Sequence, residues 1–133
     1  MSKQPEGAKV DGLKLPISRL VLGTMTFGDT VDEATAGRMV EEALDAGITT
    51  IDTANAYVGG TTEEMLSRLL KGRRGDIILA SKAGMPHPDH GQHSPLSPAG
   101  SATAWKAACA GLVWTASTSS TCTSRTAPRP CTT

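Results

Sequence analysis

Three polar side chains stand where short apolar runs end, and together they could carry out proton chemistry. Asp52 and Lys82 each end such a run, and Tyr57, the only tyrosine, follows Asp52 by five residues. A free tyrosine gives up its proton only near pH ~10, and an ammonium beside it favours the phenolate. A carboxylate would hold that lysine in place and keep it charged. Such a tyrosine could protonate a carbonyl oxygen as hydride reaches the carbon.

Each of the three residues also has an ordinary structural interpretation. An aspartate at the end of a strand is often a cap or turn residue, because its side chain bonds nearby backbone. A lysine there is often a solvated surface charge, and a lone tyrosine often only packs. Residue types and spacing alone leave both interpretations open.

The surrounding pattern predicts strands that alternate with helices. Residues 10–15 and 17–22, on either side of Pro16, predict an N-terminal β-hairpin. Residues 48–53 and 76–81 are rich in β-branched and aliphatic residues and predict two further strands. The spacings Thr30 to Glu33 and Thr61 to Glu64 predict capping boxes that begin two helices between them.

Alternation of this kind implies right-handed βαβ units and a parallel sheet. The carboxyl ends of parallel strands meet at one edge, where active sites form. We therefore expect Asp52, Tyr57 and Lys82 to converge there.

Three segments resemble motifs of the aldo-keto reductases. Residues 51–57 read Ile-Asp-Thr-Ala-Asn-Ala-Tyr and, with the Gly59 and Glu63-Glu64 that follow, resemble the family signature. Residues 78–82 are similar to the strand that bears the family's lysine, and residues 22–28 resemble its first βα loop. One departure is Val58, where many members have glycine directly after the tyrosine.

The resemblance implies a (β/α)8 TIM barrel, of which this chain would hold the N-terminal β-hairpin and about three βα units. It implies NADP(H) as cofactor and the reduction of aldehydes or ketones to alcohols. Tyr57 would be the general acid, Lys82 would tune the pKa of Tyr57, and Asp52 would orient Lys82. Gly23, Thr24 and Met25, together with Asp52, would border the nicotinamide.

The family's fourth catalytic residue, a histidine, has no matching strand in this sequence. The only histidines are His87, His90 and His93, in a proline-rich segment after residue 82. With Asp89 they could be metal ligands, but zinc sites usually need ligands held by regular structure. We predict a solvated βα loop and no metal site.

Composition excludes several classes of protein. Basic and acidic residues balance at 13 each, so charge points neither to nucleic acid nor to a membrane surface. No apolar run is long enough to span a bilayer, and residues 1–9 lack the apolar core of a secretory signal. Three cysteines, an odd number, argue against a disulfide framework. A cytoplasmic protein with a small-molecule carbonyl substrate is the expectation.

The last quarter of the chain differs from the rest, because Ala, Ser and Thr dominate it and no acidic residue follows Asp89. We predict a flexible N-terminus at 1–9, a partial aldo-keto reductase domain at 10–100 and a disordered tail at 101–133. The tail could be a displaced reading frame: codons for residues 114–118 read one nucleotide earlier permit Val-Asp-Arg-Val-Asp. The missing histidine would then straddle Cys122 and Thr123. A natural low-complexity linker is the alternative.

These observations leave three hypotheses for the isolated chain. It could be an enzyme, a truncated and non-catalytic fragment, or an assembly module. Three βα units leave two open sheet edges, which invite self-association or pairing with another chain.

Overall fold

The frame of the chain is a parallel three-stranded sheet in the order β1-β2-β3. The computed structural model describes residues 7–88 and 91–111. The elements in chain order are β1 (Val21–Gly23), α1 (Glu33–Asp45), β2 (Thr50–Asp52), a 3₁₀ turn (Tyr57–Gly60), α2 (Thr61–Leu69), β3 (Ile78–Ala80) and α3 (Pro98–Gly111). The predicted alternation of strands and helices is therefore present, with strands shorter than their apolar runs.

The register of the sheet brings the strand ends to one level. Gly23 pairs with Asp52, and Asp52 pairs with Ala80. The segments that follow the three strands consequently leave the sheet side by side, as the parallel arrangement predicts.

The core lies where α1 and α2 pack against the middle strand. Ile51 of β2 is fully buried, as is Phe27, the only phenylalanine. The buried cluster consists of Phe27, Ala36, Val40, Ile51, Met65, Leu66, Leu70 and Ile77. β2 is therefore the best-anchored strand, and the residues that follow it start from a rigid position.

The predicted N-terminal hairpin is reduced to one antiparallel bridge between Ala8 and Ile17. Two backbone hydrogen bonds of 2.9 and 2.8 Å form that bridge. Pro16 lacks an N–H, so it cannot extend the pairing toward the turn. Val10 and Leu13 remain exposed, so little apolar burial favours a longer hairpin.

Both predicted capping boxes are wrong in detail. α1 is capped by Asp32, whose side chain accepts a 2.7 Å hydrogen bond from the Thr35 N–H. α2 is preceded by Gly60, and no side chain caps it. The Thr62 hydroxyl instead donates to the carbonyl of Phe27 at 2.8 Å, so tertiary contacts determine how this helix begins.

Helix α3 corrects the predicted start of the tail, because residues 101–111 are helical. Its composition favours helix, since alanine has the highest intrinsic propensity. The Ser97 hydroxyl accepts a 3.0 Å bond from the Gly100 N–H at its start, and Ala104 is fully buried. The helix contacts α2. The predictions for residues 1–6 and 112–133, including most of the displaced frame, fall outside the described residues.

Within the part of the chain that the structure describes, no helix combines the length and apolar character needed to cross a bilayer.

Candidate active site

The strand ends of β2 and β3 bring Asp52 and Lys82 together. The Lys82 Nζ donates to Asp52 Oδ2 at 2.6 Å and to the carbonyl of Thr53 at 2.8 Å. The two side chains remain 38% and 51% exposed, so solvent screens the pair and its contribution to stability is small. Its main effect is to orient the ammonium.

Tyr57 completes the predicted cluster. The Lys82 Nζ lies 5.1 Å from the centre of the Tyr57 ring, within the range of a cation–π contact. Partial burial lowers the pKa of the Lys82 ammonium. The hydrogen bonds and charges of Asp52 and Tyr57 outweigh that effect, so the pKa lies above the usual lysine value. Lys82 is therefore held as a cation beside the tyrosine.

Backbone hydrogen bonds continue the pairing of β2 and β3 beyond the strands themselves. The Thr53 N–H donates to the Ala80 carbonyl at 2.8 Å, and the Asn55 N–H donates to the Lys82 carbonyl at 3.1 Å. Asn55 is itself buried. The segments that carry Tyr57 and Lys82 are thus joined along their length, not only through their charged side chains.

The turn that begins at Tyr57 has an unusual backbone. Val58, Gly59 and Gly60 have φ values of 49°, 62° and 97°, so three successive residues are left-handed. Glycine adopts this region freely, but a left-handed residue with a Cβ costs roughly 1–2 kcal/mol. The strained residue is Val58, which stands where many aldo-keto reductases have glycine directly after the tyrosine.

A pocket of about 180 Å³ lies beside the tyrosine and the lysine. Its walls come from the segment after β2 and the segment after β3. The lining residues are Ala54, Asn55, Ala56, Tyr57, Lys82, Ala83, Gly84 and Met85. The walls are mainly apolar, and they include the two candidate proton-handling groups.

The predicted cofactor residues lie at the end of β1, next to Asp52. A Cβ added to Gly23 would have no atom within 4 Å, so the space above this residue is open. Met25 is exposed. Thr24 differs: it is buried, and its N–H and hydroxyl donate to the Asp52 carbonyl at 3.2 and 3.0 Å. Its contact is with β2, so it would act on a cofactor only indirectly.

The described histidines do not supply the family's fourth catalytic group. His87 lies near the Tyr57–Gly60 turn, with Nε2 3.8 Å from a Cβ built on Gly60. His93 is exposed, and neither imidazole lines the pocket. Among the side chains that the structure describes, no group of three could hold a metal ion. The metal interpretation also involves Asp89 and His90, which lie outside the described residues.

A buried pair that the sequence did not predict lies behind the site. The Ser81 hydroxyl donates to Glu63 Oε1 at 2.6 Å, and Glu63 is only 5% exposed. The signal was present in the helical spacing: Glu63 precedes Leu66 by three residues and Leu70 by seven, which places it on the apolar face of α2. A carboxylate on such a face requires a partner.

Comparisons with known proteins agree with the geometry. A sequence profile of the aldo/keto reductase family matches residues 19–111. An uncharacterized oxidoreductase of Bacillus subtilis, YrpG, is 45% identical over 82 residues, which is 56% of this chain and 25% of that protein. The aldo-keto reductase YhdN of Bacillus subtilis is 43% identical over 74 residues, or 51% of this chain and 22% of that protein.

A solved structure shows the same relationship. The holo form of an aldo-keto reductase from Bacillus halodurans, AKR11C1, superposes with a TM-score of 0.66 at 34% identity. The match covers 80% of this chain and 36% of that one. The sheet and helices described above are therefore part of a (β/α)8 barrel architecture, and the chain spans about a quarter of the length of the curated relatives it matches.

Proposed function

The chain belongs to the aldo/keto reductase family, and we propose that Asp52, Tyr57 and Lys82 serve the NADP(H)-dependent interconversion of an aldehyde or ketone with its alcohol. The observation that carries the proposal is the meeting of these three side chains at the carboxyl edge of the sheet. Lys82 lies 2.6 Å from the Asp52 carboxylate and 5.1 Å from the centre of the Tyr57 ring.

In the reductive direction Tyr57 donates its phenolic proton to the substrate oxygen. The Lys82 ammonium stabilises the negative charge left on the phenolic oxygen, and solvent returns a proton to it afterwards. Asp52 and the Thr53 carbonyl hold the ammonium in place. The alcohol product carries one added proton on oxygen and one added hydride on carbon.

The residues at the end of β1 fit a flat cofactor ring. Gly23, which pairs with Asp52 in the sheet, has open space above it. Met25, two residues later, provides an exposed apolar side chain. When bound beside these residues, reduced NADP would be the source of the hydride. Thr24 supports this edge by linking β1 to the Asp52 carbonyl.

The pocket favours small carbonyl compounds with an apolar substituent. A volume of about 180 Å³ lies below the roughly 300–1,000 Å³ of a drug-sized site, so only part of a larger substrate would enter. Ala54, Ala56 and Ala83 offer no charged group to a substrate. Orientation of the carbonyl would thus depend on the polar lining residues Tyr57, Lys82 and Asn55.

The proposal is tested by titrating the purified chain with NADPH, following cofactor fluorescence, and then adding benzaldehyde. We expect saturable binding, and carbonyl reduction that falls roughly 10²–10⁴-fold in Tyr57→Phe with little change in NADPH affinity. Lys82→Met should also lose activity, whereas Lys71→Met, at an exposed lysine of the α2–β3 connection, should not. Absence of NADPH binding, or full activity in Tyr57→Phe, would reject the proposal.

A second candidate, assembly without turnover, is favoured by the sheet edges. Among the described residues β1 and β3 each pair on one side only, and Leu20 and Val21 at the β1 edge are exposed. Unpaired strand edges recruit other strands. Size-exclusion chromatography should then show a defined oligomer of this chain, and a monomer at all concentrations would exclude self-assembly.

A further inference from the structure

The Glu63 carboxylate joins the two segments that carry Tyr57 and Lys82. Glu63 lies in the first turn of α2, which begins directly where the Tyr57–Gly60 turn ends. Its Oε1 accepts a 2.6 Å hydrogen bond from the hydroxyl of Ser81, the residue immediately before Lys82. One side-chain bond therefore connects the element after β2 with the end of β3.

Burial makes this bond rigid. A carboxylate that is only 5% exposed is costly to bury unless hydrogen bonds satisfy it. Bonds of this charge-assisted type are short and stronger than neutral ones. Asp52 and Lys82, in contrast, are 38% and 51% exposed, so water competes for both groups. The exposed ion pair alone gives weak control over the position of the ammonium.

The start of α2 is also fixed from the opposite side. The Thr62 hydroxyl donates to the Phe27 carbonyl at 2.8 Å, in the segment after β1. Adjacent residues of one helical turn thus contact the segments that follow β1 and β3. Any shift of Ser81 relative to α2 would have to break the Glu63 bond, because the helix itself is held.

We propose that Glu63 is a positioning residue that acts through Ser81 and, together with the backbone bond from Asn55 to the Lys82 carbonyl, fixes the separation of Lys82 and Tyr57. The inference rests on the proposed function of those two residues, since their separation matters for proton transfer. The separation itself can be measured without catalysis. Failure of the proposed activity and failure of the positioning role are therefore distinguishable.

The measurement is a nuclear Overhauser cross-peak between the Tyr57 ring and the ε-methylene of Lys82, recorded on the full chain. Because Tyr57 is the only tyrosine, its ring signals are unambiguous. We expect the cross-peak in the unchanged chain and its loss in Glu63→Ala and in Ser81→Ala. Glu63→Gln should retain it, because the amide oxygen can accept the same hydroxyl proton.

Two controls separate positioning from general stability. Glu33→Ala removes a carboxylate that pairs with Arg68 on the surface, and the cross-peak should persist. Leu66→Ala destabilises the same helix but retains the Glu63 and Ser81 side chains. The cross-peak should persist in this variant under conditions where urea titration shows that the variant is folded. Ser81→Ala deletes only one hydroxyl, so it remains informative if Glu63→Ala does not fold.

An unchanged cross-peak in Ser81→Ala, or an equal loss in folded Leu66→Ala, would overturn the positioning role. The expected pattern of cross-peaks in a chain that reduces no carbonyl would support the positioning role while rejecting the proposed activity.

Discussion

Two regions border the candidate site, and they are built in opposite ways. The β2–α2 unit, residues 50–70, is largely buried: Ile51, Thr53, Asn55 and Leu66 have almost no exposed surface. The described residues of the loop between β3 and α3, 81–88 and 91–97, are largely exposed, and Leu96 is 81% exposed. The rigid unit positions Tyr57, whereas the loop contributes Lys82 and one wall of the pocket.

The contrast bears on the proposed function. Tyr57, the proposed proton donor, stands next to residues of the buried core. The opposite wall, with Gly84 and Met85, lies on a segment whose replacement would leave the core intact. Loops on a rigid scaffold commonly carry selectivity for this reason. Lys82 lies at the junction, where Asp52 and the Thr53 carbonyl accept its hydrogen bonds.

The largest expected difference between the regions is in their leucines. Leu66→Ala should lower the free energy of unfolding by roughly 2–5 kcal/mol, because the fully buried side chain leaves a cavity in the core. Leu96→Ala, on the exposed loop, should change it by less than about 0.5 kcal/mol. Urea unfolding of both variants measures the difference, and equal losses would show that the loop is part of the core.

A smaller difference in stability is expected between Val58, in the Tyr57–Gly60 turn, and Val21, in β1. Replacement by glycine should have effects of opposite sign at the two positions. Val58→Gly relieves a left-handed strain of roughly 1–2 kcal/mol and costs roughly 0.5–1 kcal/mol in chain entropy, so it should stabilise slightly. Val21 is similarly exposed, at 49% against 38%, but lies in β1, so Val21→Gly should destabilise. Thermal unfolding compares the two, and a lower melting temperature for Val58→Gly would contradict the strain argument.

The smallest expected effect is an alkaline loss of stability that depends on Lys82. Its pKa is above the usual value, so its contribution is complete below the unfolded pKa of about 10.4 and is lost as pH rises through the folded value. Half of the side chain is exposed, so solvent screening keeps the contribution small. Urea unfolding should be measured from neutral pH to about pH 11. The difference in the free energy of unfolding between the unchanged chain and Lys82→Met should become smaller as the pH rises. A difference that does not change with pH would contradict this prediction.

Much of the site could be predicted from particular residues. Asp52 and Lys82 were recognisable because each ends an apolar run, and parallel topology requires such ends to meet. Glu63 and Ser81 were not recognised as a pair, because a hydroxyl and a carboxylate 18 residues apart carry no local signal of contact. The start of α2 differs from the prediction for a similar reason: Thr61 does not cap the helix, which follows Gly60, and Thr62 bonds Phe27, 35 positions away.

The amino-acid order alone was enough for the alternation of strands and helices, the family resemblance and the candidate acid Tyr57, because periodicity and short motifs are local properties. The Asp32 cap is also a local feature, because its side chain bonds the N–H of Thr35 three residues later. Folding was needed to pack helix α3 on α2, to begin α2 directly after Gly60, and to bury Glu63 against Ser81. Those outcomes depend on contacts between segments distant in sequence, and no local pattern contains the free energies of such contacts.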